Sequence, residues 1–403
     1  MRSICFLFIS CLWVSAAANG LSIRHYGVSP SNSPEQNKLN LQKAIDSMSL
    51  IGGQLFVDAS DSTYHIAGGI ILRQNVSLVG ENAATPRGTA HATKHQPVGS
   101  VFEITDRQNV FMTVESSTQI SGIQFWYSEQ TMKDASQIIE YPATIRVSQD
   151  KAAQGVTLRD LTFYGEYIAM DFGATEKQVC ELITIEHCFG YPLSGIFIRI
   201  DHCYDIPRIL HCHVNPAISR HFAGDLPPQI VDKVISKKTY AYSIDHTDNA
   251  ELIDIFAFGT YGGIYLGAES YGQLTNFNFD CVAIGIHKLG NNDFNRNWQI
   301  AQGSIIANTG DVQENIHPIW IEGKGHTSIT NVESFSGKNG ALTAIGKSFD
   351  FMQVTGNHKC TISLIGCRMR NYTSGQPLTI KNRNALIQVV ACVDKNEEAF
   401  ILK

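Results

Sequence analysis

The sequence predicts an all-β chain wound as a parallel β-solenoid, with one amphipathic helix near its start. Short runs of β-forming residues, each ending in Gly, Asn, Asp or another polar turn, recur from Val156 almost to the C-terminus. Their spacing of about 22–28 residues is that of one solenoid coil per repeat. Examples are Val156–Phe163, Ile183–Cys188, Ile253–Phe258, Gln273–Phe279 and Thr361–Cys367. Such a scaffold offers long, shallow surfaces that suit polymeric ligands.

The predicted helix covers residues 36–48 and ends at Gly52-Gly53. Leu41, Ala44, Ile45 and Met48 fall on one face of it. An amphipathic helix ahead of a run of β-coils is suited to cover the open hydrophobic end of the solenoid. We therefore expect residues 36–52 to form an N-terminal cap.

The first 18 residues have the pattern of an export signal. Arg2 is followed by an apolar stretch from Ile4 to Val14, and Ala16-Ala17-Ala18 supplies small residues for cleavage. The stretch is short for a membrane span, and no later run reaches the roughly 18 apolar residues that a span needs. The pattern predicts a secreted or periplasmic protein, with a retained membrane anchor as the alternative.

The charge balance argues against nucleic acid as a partner. The formal net charge is −6, charged residues make up 17% of the chain, and no basic stripe is visible. We find no Pro-rich or Gly/Ser-rich linker that would divide residues 19–403, so we expect a single β-helix domain.

Eight cysteines follow the predicted signal, and none has the CxxC spacing of a zinc site. Cys188 and Cys212 lie about one repeat apart, and so do Cys367 and Cys392. Each pair is therefore expected to stack on adjacent coils. Export permits disulfides, and a ladder of buried thiols is the alternative.

The N-terminal region contains five short segments in a set order: Tyr26-Gly27-Val28, Ala44-Ile45-Asp46, the run from Gly52 to Val57, Thr63–Ile66 and Asn75–Gly80. In this order the region resembles the pectate-lyase-like right-handed parallel β-helix superfamily, which includes proteins related to family 28 glycoside hydrolases. It implies a single-stranded right-handed parallel β-helix with an N-terminal capping helix. It also implies a carbohydrate-active protein, without fixing the chemistry, because the superfamily includes lyases, hydrolases, epimerases and phage tailspikes.

Two segments depart from the coil rhythm. Residues 82–97 are polar and rich in Ala, Thr and His, and residues 216–238 contain Pro227-Pro228 and Lys237-Lys238. Long loops on a rigid scaffold commonly build binding sites. We expect both segments to leave the coil.

The strongest chemical pattern is a repeated phrase, Ile-x-His followed by Cys or Thr, which includes Ile200-Asp201-His202-Cys203 and Ile244-Asp245-His246-Thr247. Strand alternation predicts that Asp201 and Asp245 point outward, and that His246 points inward and Thr247 outward. If residues 216–238 are an excursion from one coil, the two aspartates are neighbours roughly 5 Å apart. Two intervening coils would double that distance.

Three roles are open for outward carboxylates on adjacent coils. They could be the general acid and base of a glycosidase. They could bind Ca²⁺ together with Asp205 and Asp248, and the bound ion would acidify a uronate C5 proton for removal by a base. Lys288, Arg208 and the histidines are candidate bases. The structural alternative is that the aspartates satisfy turns, and that His202 and His246 are stacked core histidines.

Further candidates flank this pattern. His213 precedes the second loop, and Arg208 could clamp a carboxylate or pair with Asp205. Tyr261 and Tyr271 lie beside glycines or turns and could stack on sugar rings, and Arg296 ends a polar loop that begins after Lys288. These three are the predicted substrate-binding residues.

The sequence lacks the Walker A loop and the GxGxxG, HExxH and GxSxG motifs. It also lacks the paired Asp-Asp and the Gly-His-Gly phrase of polygalacturonases. The combined prediction is a secreted enzyme that cleaves an extracellular, acidic polysaccharide as a lyase or glycoside hydrolase, with Ca²⁺ left open as a cofactor. The alternative is a non-catalytic carbohydrate-binding or surface structural β-helix, and either a monomer or a homotrimer is compatible with the sequence.

Overall fold

A computed structural model describes residues 20–81, 96–219, 226–290, 297–307, 316–335 and 348–402. The described chain winds into a solenoid in which every paired strand runs parallel to its neighbours on the preceding and following coils. The all-β parallel solenoid that the periodicity predicts is confirmed. Numbered in chain order, strands β1–β33 form three faces, here called sheets A, B and C.

Sheet A carries the candidate site. Its strands are β4 (Ile70–Leu72), β7 (Met112–Val114), β10 (Ile145–Val147), β13 (Ile168–Gly173), β16 (Ile196–Tyr204), β19 (Tyr240–Thr247), β22 (Gly262–Leu266), β25 (Ile284–Lys288), β27 (His317–Glu322), β29 (Met352–Thr355) and β32 (Leu378–Ile380).

Sheet B follows sheet A along each coil, and sheet C follows sheet B. The strands of sheet B are β1 (Leu21–Ser22), β2 (Gly53–Val57), β5 (Val76–Gly80), β8 (Thr118–Ser121), β11 (Ala153–Arg159), β14 (Cys180–Glu186), β17 (Arg208–Leu210), β20 (Ala250–Ile253), β23 (Gly272–Thr275), β26 (Asn297–Ala307), β28 (Gly325–Ser334), β30 (Cys360–Ile365) and β33 (Ala385–Val390). Sheet C contains β3 (Tyr64–His65), β6 (Val101–Glu103), β9 (Gln124–Trp126), β12 (Thr162–Tyr164), β15 (Phe189–Gly190), β18 (His213–Val214), β21 (Phe256–Phe258), β24 (Asn278–Val282) and β31 (Arg368–Met369), extended by the ends of β26 and β28.

The core is a set of inward-facing columns, each contributed by one register position of a sheet. In sheet A the register stacks Phe172, Ile200, Ile244 and Leu266, all of which are buried. Strand alternation places these side chains inside and their neighbours outside. Each coil thus buries its apolar face against the next, which is why no separate domain core is needed.

The corner between sheets B and C is built by residues in the left-handed backbone conformation. This conformation disfavours most side chains, and glycine, Asn and Asp tolerate it best. The corner residues of successive coils are Gly122, Asp160, His187, His211, Asp254, Asn276, Gln302, Asn331, Gly366 and Ala391. The turn signals that end the sequence runs are therefore the corners of the solenoid.

The N-terminal cap is helix α1 (Pro34–Ser49), which begins at the Ser33 N-cap with Pro34 in its first turn. Its apolar face, with Leu41, Ala44 and Ile45, is buried against the first coils. The predicted capping helix is confirmed, and it begins two residues earlier than the apolar pattern suggested because Ser33 and Pro34 are start signals.

Within residues 216–238, the described residues 216–219 and 226–238 lie between strands β18 and β19. They contain a short 3-10 helix (Pro216–Ser219) and helix α2 (Pro228–Ser236), with residues 220–225 outside the described part of the chain. Strand β16 nevertheless pairs directly with β19, so the excursion belongs to a single coil. Of the other predicted excursion, residues 82–95 lie outside the described residues.

The eight cysteines are free, and seven of them are buried. Cys180 is paired in register with Cys203 on the neighbouring strand, and the thiol of Cys392 accepts a 3.3 Å hydrogen bond from the backbone N–H of Cys367. The structure thus has the thiol ladder, the second of the two alternatives for these residues. Burial raises the pKa values of Cys188 and Cys203, which keeps both thiols protonated.

Two predictions concern the membrane. Within the described residues, no helix has both the length and the apolar character that a bilayer crossing requires. The predicted export signal, residues 1–18, lies outside the described part of the chain.

Candidate functional site

The outward face of sheet A carries a strip of polar and aromatic side chains in two neighbouring columns. One column runs through Ser243, Tyr265, His287 and Trp320 on successive coils. The other begins with the register pair Asp201 and Asp245 and reaches Glu322 on β27. The sheet A strip is defined by Asp201, Asp245, Tyr265, His287, Trp320 and Glu322.

A hydrogen-bonded relay crosses the strip. The Tyr240 hydroxyl lies 2.8 Å from His287 Nδ1, and His287 Nε2 lies 2.6 Å from Glu322 Oε1. The carboxylate of Glu322 accepts from Nε2–H, which leaves Nδ1 to accept from the Tyr240 hydroxyl. The His287 ring also stacks on Trp320, with centroids 4.2 Å apart and planes 6° apart. Four side chains from three strands are thereby fixed in one arrangement.

The electrostatics of the relay follow from its burial. His287 is 8% exposed, and burial lowers the pKa of its imidazole while the bond to Glu322 opposes that shift. Burial, together with Tyr261, Tyr265 and Glu322, raises the pKa of Tyr240, so its hydroxyl stays protonated. A neutral His287 imidazole and a protonated Tyr240 hydroxyl agree with the hydrogen bonds assigned above, in which Nε2 carries the proton and Nδ1 accepts from Tyr240.

Two glycines make room for the side chains of the strip. A methyl group on Gly262 would overlap the ring of Tyr240, which lies across that glycine toward His287. A methyl group on Gly267 would overlap the carboxyl group of Asp245. Glycine at these positions allows both side chains to reach over the next coil.

Asp245 and Glu322 lie on either side of Tyr265. Burial raises the pKa of Tyr265 most, and the charges of Asp245 and Glu322 raise it further. Three strand spacings, roughly 14 Å, separate the Cα atoms of the two acidic residues. Asp245 leans across Gly267 and Glu322 leans back to His287, so the two carboxyl groups are closer together than their Cα atoms.

At the corner between sheets A and B, Asp201 contacts two histidines. Its Oδ1 lies 2.8 Å from His246 Nδ1 and 2.9 Å from His202 Nδ1. The two imidazole rings stack with centroids 4.2 Å apart and planes 9° apart. The Oδ1 atom of Asp245 accepts hydrogen bonds from the backbone N–H groups of His246 and Glu269.

The prediction that His246 points inward and Thr247 outward is wrong. The His246 side chain is 38% exposed, whereas Thr247 is buried. His246 has a φ of 41° and His202 one of 53°, and a left-handed residue shifts the alternation by one position. The two histidines stack as expected, but His246 is partly exposed, His202 is mostly buried, and both contact the Asp201 carboxylate rather than the core backbone.

The remaining predicted carboxylates are arranged differently from Asp201 and Asp245. Asp205 is exposed in the turn after β16, and Asp248 Oδ1 is buried without a hydrogen-bond partner in the described chain. Among the described residues, the only group of three or more potential metal-ligating side chains is Asp201, His202 and His246. The structure therefore brings one predicted aspartate together with two histidines.

Arg208 and His213 lie on other faces of the solenoid. Arg208, in sheet B, donates to Glu251 at 3.0 Å, so its ion-pair partner is not the predicted Asp205. His213, in sheet C, stacks on Phe256 with centroids 4.3 Å apart. Neither residue shares the outward face of sheet A with Asp245.

Lys288 points into the solenoid. It is 1% exposed and continues the inward column between Leu266 and Ile321. Its ammonium group donates to the carbonyl oxygens of Leu289 and Lys324, and burial lowers its pKa to about 8. Lys288 is therefore separated from the outward strip by its own backbone.

Among the predicted substrate-binding residues, Tyr261 borders the strip, with its ring centroid 5.9 Å from that of Tyr240. Tyr271 is half-buried and directly precedes strand β23 of sheet B, which begins at Gly272. Arg296 lies outside the described residues. Sequence reasoning missed Tyr240, Trp320 and Glu322. The alternation in β27 could have indicated Trp320 and Glu322, because Ile319 and Ile321 between and beside them are buried.

Comparisons with known proteins identify the fold. No family model and no curated protein sequence matches the chain. Among solved structures, the A-module of the mannuronan C-5 epimerase AlgE6 from Azotobacter vinelandii is 11% identical, with a TM-score of 0.52, and the alignment covers 93% of this chain and 99% of the module. The GH87 α-1,3-glucanase catalytic unit from Streptomyces thermodiastaticus is 8% identical, with a TM-score of 0.53 and coverages of 94% and 70%.

The tailspike protein 2 domain of bacteriophage CBA120 is 11% identical, with a TM-score of 0.55. That alignment covers 96% of this chain and 54% of the tailspike domain. At such identities the likeness concerns backbone architecture alone. The chain shares the right-handed parallel β-helix fold with these three proteins.

Proposed function

We propose that the protein is an extracellular enzyme that cleaves a polysaccharide on the sheet A strip by glycoside hydrolysis. The observation that carries this proposal is the pair of carboxyl groups, Asp245 and Glu322, on either side of Tyr265. Glycosidases use such a pair of carboxyl groups on either side of the scissile bond, and the separation of the pair sets whether the enzyme retains or inverts the anomeric configuration. The carbohydrate-active neighbours by fold support the same substrate class.

The two carboxyl groups have different surroundings, which suggests different roles. Asp245 is positioned by two backbone N–H donors, an arrangement suited to a carboxylate that activates water or attacks the anomeric carbon. Glu322 is bonded to His287, which is bonded to Tyr240. For the acid role Glu322 would enter the step as the carboxylic acid, with its O–H donating to His287 Nε2 and the ring Nδ1–H donating to the Tyr240 oxygen. Glu322 would then give its proton to the glycosidic oxygen while Asp245 takes one from the attacking water, and exchange with solvent would reset both groups.

The aromatic members of the strip would bind the sugar rings. Trp320 and Tyr265 are half-buried and belong to one column, two coils apart, with His287 between them. Aromatic faces combine large contact area with defined orientation, which suits pyranose rings. A polymer lying along the solenoid axis would meet these faces in succession.

We extend the proposal to an acidic polymer. Asp201 and Asp245 have no Lys or Arg partner in the described part of the chain. These carboxylates would repel a uronate chain, so an acidic polymer would bind here together with a cation that offsets their charge. Comparing the cleavage of neutral and acidic glycans decides whether the substrate is acidic.

A β-elimination on a uronate polymer is the second candidate. Tyr240 would pass its proton to His287 Nδ1 as its oxygen takes the C5 proton, the bond from C4 to the glycosidic oxygen would break as the C4–C5 double bond forms, and water would protonate the leaving oxygen. The two reactions yield different products. Hydrolysis generates reducing ends alone, whereas elimination also generates an unsaturated uronate with ultraviolet absorbance.

The test is a glycan-degradation screen with neutral and acidic polysaccharides, in the presence and absence of Ca²⁺. Asp245→Asn and Glu322→Gln should each lower the cleavage rate at least about 100-fold. Asp254→Asn, which removes a carboxylate bonded to His211 at another corner, and Glu186→Gln on sheet B are matched controls and should cleave normally.

Two results would contradict the proposed enzymatic activity. One is binding of a glycan by the wild-type protein with no cleavage of any polymer in the panel, which would identify a carbohydrate-binding or structural β-helix. The other is unchanged cleavage in both strip variants.

A further inference from the structure

We infer that Asp201, His202 and His246 form a binding site for a divalent transition-metal ion of the Zn²⁺ class, at the corner between sheets A and B. The three side chains offer one carboxylate oxygen and two imidazole nitrogens within 4.8 Å of one another. The inference goes beyond the proposed function, because the ion would bind whether or not the chain cleaves a polysaccharide.

The backbone creates this cluster from residues that are distant in sequence. Asp201 lies directly opposite Asp245 in the register of β16 and β19, so His202 and His246 follow on adjacent coils. Both histidines adopt the left-handed conformation, which turns their rings outward at the corner. The result is two parallel imidazoles beside one carboxylate oxygen.

The hydrogen bonding of the cluster is incomplete. His246 Nδ1 has an aligned hydrogen bond to Asp201 Oδ1. His202 Nδ1 lies 2.9 Å from the same oxygen, but this buried nitrogen has no aligned hydrogen-bond partner in the described chain. A single carboxylate oxygen cannot lie in the planes of two stacked rings, so one nitrogen is left without a proper partner.

The local charge favours a cation. Asp245 Oδ1 lies 3.9 Å from His246 Nδ1, which adds a second carboxylate beside the first. The His202 side chain is only 16% exposed and that of Asp201 is 31% exposed. Two partly buried carboxylates thus lie beside the imidazoles, and a divalent ion would offset their negative charge.

The donor set selects the class of metal. Imidazole nitrogen is a ligand for Zn²⁺ and other borderline transition metals, whereas Ca²⁺ takes six to eight oxygen ligands. Two histidines and one aspartate match the open three-ligand sites that keep a fourth position for water or substrate. The structure thus favours Zn²⁺ over the Ca²⁺ that the aspartates alone suggested.

Binding would require a local movement of the rings. The nitrogen-to-oxygen distances of 2.8 and 2.9 Å are hydrogen-bond lengths, and the Nδ1 lone pairs of stacked rings run parallel. Convergence on one ion at roughly 2.0–2.1 Å requires one imidazole to turn about its Cβ–Cγ bond. This rotation would disrupt the stacking of His202 on His246. Loss of the stacking can be observed independently of the number of ions bound per chain.

The experiment is equilibrium dialysis of the chelator-treated full chain against Zn²⁺, with elemental analysis of bound metal and a parallel dialysis against Ca²⁺. We expect about one Zn²⁺ per chain, with affinity at least about 10-fold weaker in His202→Ala, His246→Ala and Asp201→Asn. Histidine proton NMR should show that the two rings unstack when Zn²⁺ is added.

His187→Ala and His211→Ala are matched controls. These histidines occupy the same sequence phrase at the other corner, but each contacts a separate carboxylate, Asp160 and Asp254 respectively. Both controls should bind Zn²⁺ as the wild type does. Circular dichroism and thermal unfolding of each variant would show that the solenoid is intact.

The inference would be overturned by the absence of Zn²⁺ binding, by equal Zn²⁺ binding in the corner variants, or by an equal loss in the controls. Ca²⁺ binding at the same stoichiometry and affinity would also overturn it. Glycan cleavage is measured separately, so a failed metal test leaves the proposed function standing, and a failed cleavage test leaves the metal site standing.

Discussion

The hydroxyl of Tyr240 donates a hydrogen bond of 2.8 Å to Nδ1 of His287, which lies two coils further along the solenoid. The tyrosine spans this distance because Gly262, on the coil between them, has no side chain. A contact between residues 47 positions apart thus depends on a glycine that belongs to neither partner.

Gly262→Ala should break that contact. The added methyl group overlaps the Tyr240 ring, so the ring must move away from His287. We expect cleavage to fall about 100-fold, as for other displacements of site residues, with a loss of about 1–3 kcal/mol in unfolding free energy from overpacking. Gly375→Ala is the control, because its methyl group would meet no atom within 4 Å. Cleavage kinetics and denaturant unfolding measure the two expected effects in both variants. Equal cleavage by the two variants would count against a role for the relay.

Lys288→Met should keep cleavage and gain stability at pH 7. The ammonium group is buried in an apolar column, and burial lowers its pKa from 10.5 to about 8. The unfolded chain binds the extra proton between these two values, so wild-type stability should rise from about pH 8 to 10.5, and this rise should be absent from the variant. Below pH 8 the variant should be more stable by up to about 3 kcal/mol, less the loss of two hydrogen bonds to carbonyls.

The measurements for Lys288→Met are unfolding free energy against pH and cleavage of the substrate found in the screen. A strong loss of cleavage with an intact fold would restore Lys288 as a candidate catalytic base.

The wild-type protein should lose stability as the pH rises because of Glu166, and Glu166→Gln should remove this loss. Glu166 is fully buried, neither carboxyl oxygen has an aligned hydrogen-bond partner in the described chain, and burial raises its pKa from 4.5 to about 8. Between those values the folded protein holds a proton that the unfolded chain has lost, so stability should fall by about 1.4 kcal/mol per pH unit. Denaturant unfolding from pH 4.5 to 8 should show this slope in the wild type and in the exposed control Glu398→Gln, but not in Glu166→Gln. The same slope in all three proteins would assign it to other groups.

Ala391→Gly should stabilise the corner between sheets B and C. Ala391 has a φ of 53° in the column where the preceding coil has Gly366. An L-residue with a side chain pays about 1–2 kcal/mol in this conformation, partly offset by the flexibility of glycine in the unfolded chain. We expect a net gain of about 0.5–1 kcal/mol. The reverse change, Gly366→Ala, should destabilise, because its methyl group overlaps Asn331 Oδ1. Calorimetric unfolding of both variants provides the check, and effects of the same sign would contradict the corner geometry.

Strand alternation predicted much of sheet A correctly. Ile198 and Ile200 are buried while Asp201 lies on the outer face, and Tyr242 and Ile244 are buried opposite them. The prediction failed at His246 and Thr247, where a left-handed residue shifts the alternation by one position. Side chains alternate between inward and outward along a strand, and this alternation ends at a corner. The polar residues that mark the corner do not predict the direction of the next side chain.

The sequence alone determined the coil and the cap, because these depend on local pattern and on the spacing between repeats. It left open whether Asp201 and Asp245 lie on adjacent coils, which the pairing of β16 with β19 decided. Tertiary structure decided which side chains of different coils meet. Tyr240 reaches His287 over Gly262, Glu322 turns back to the same histidine, and Lys288 lies in the core. These relations depend on register between strands tens of residues apart, and on the space left by glycines, neither of which is encoded in the neighbourhood of any one residue.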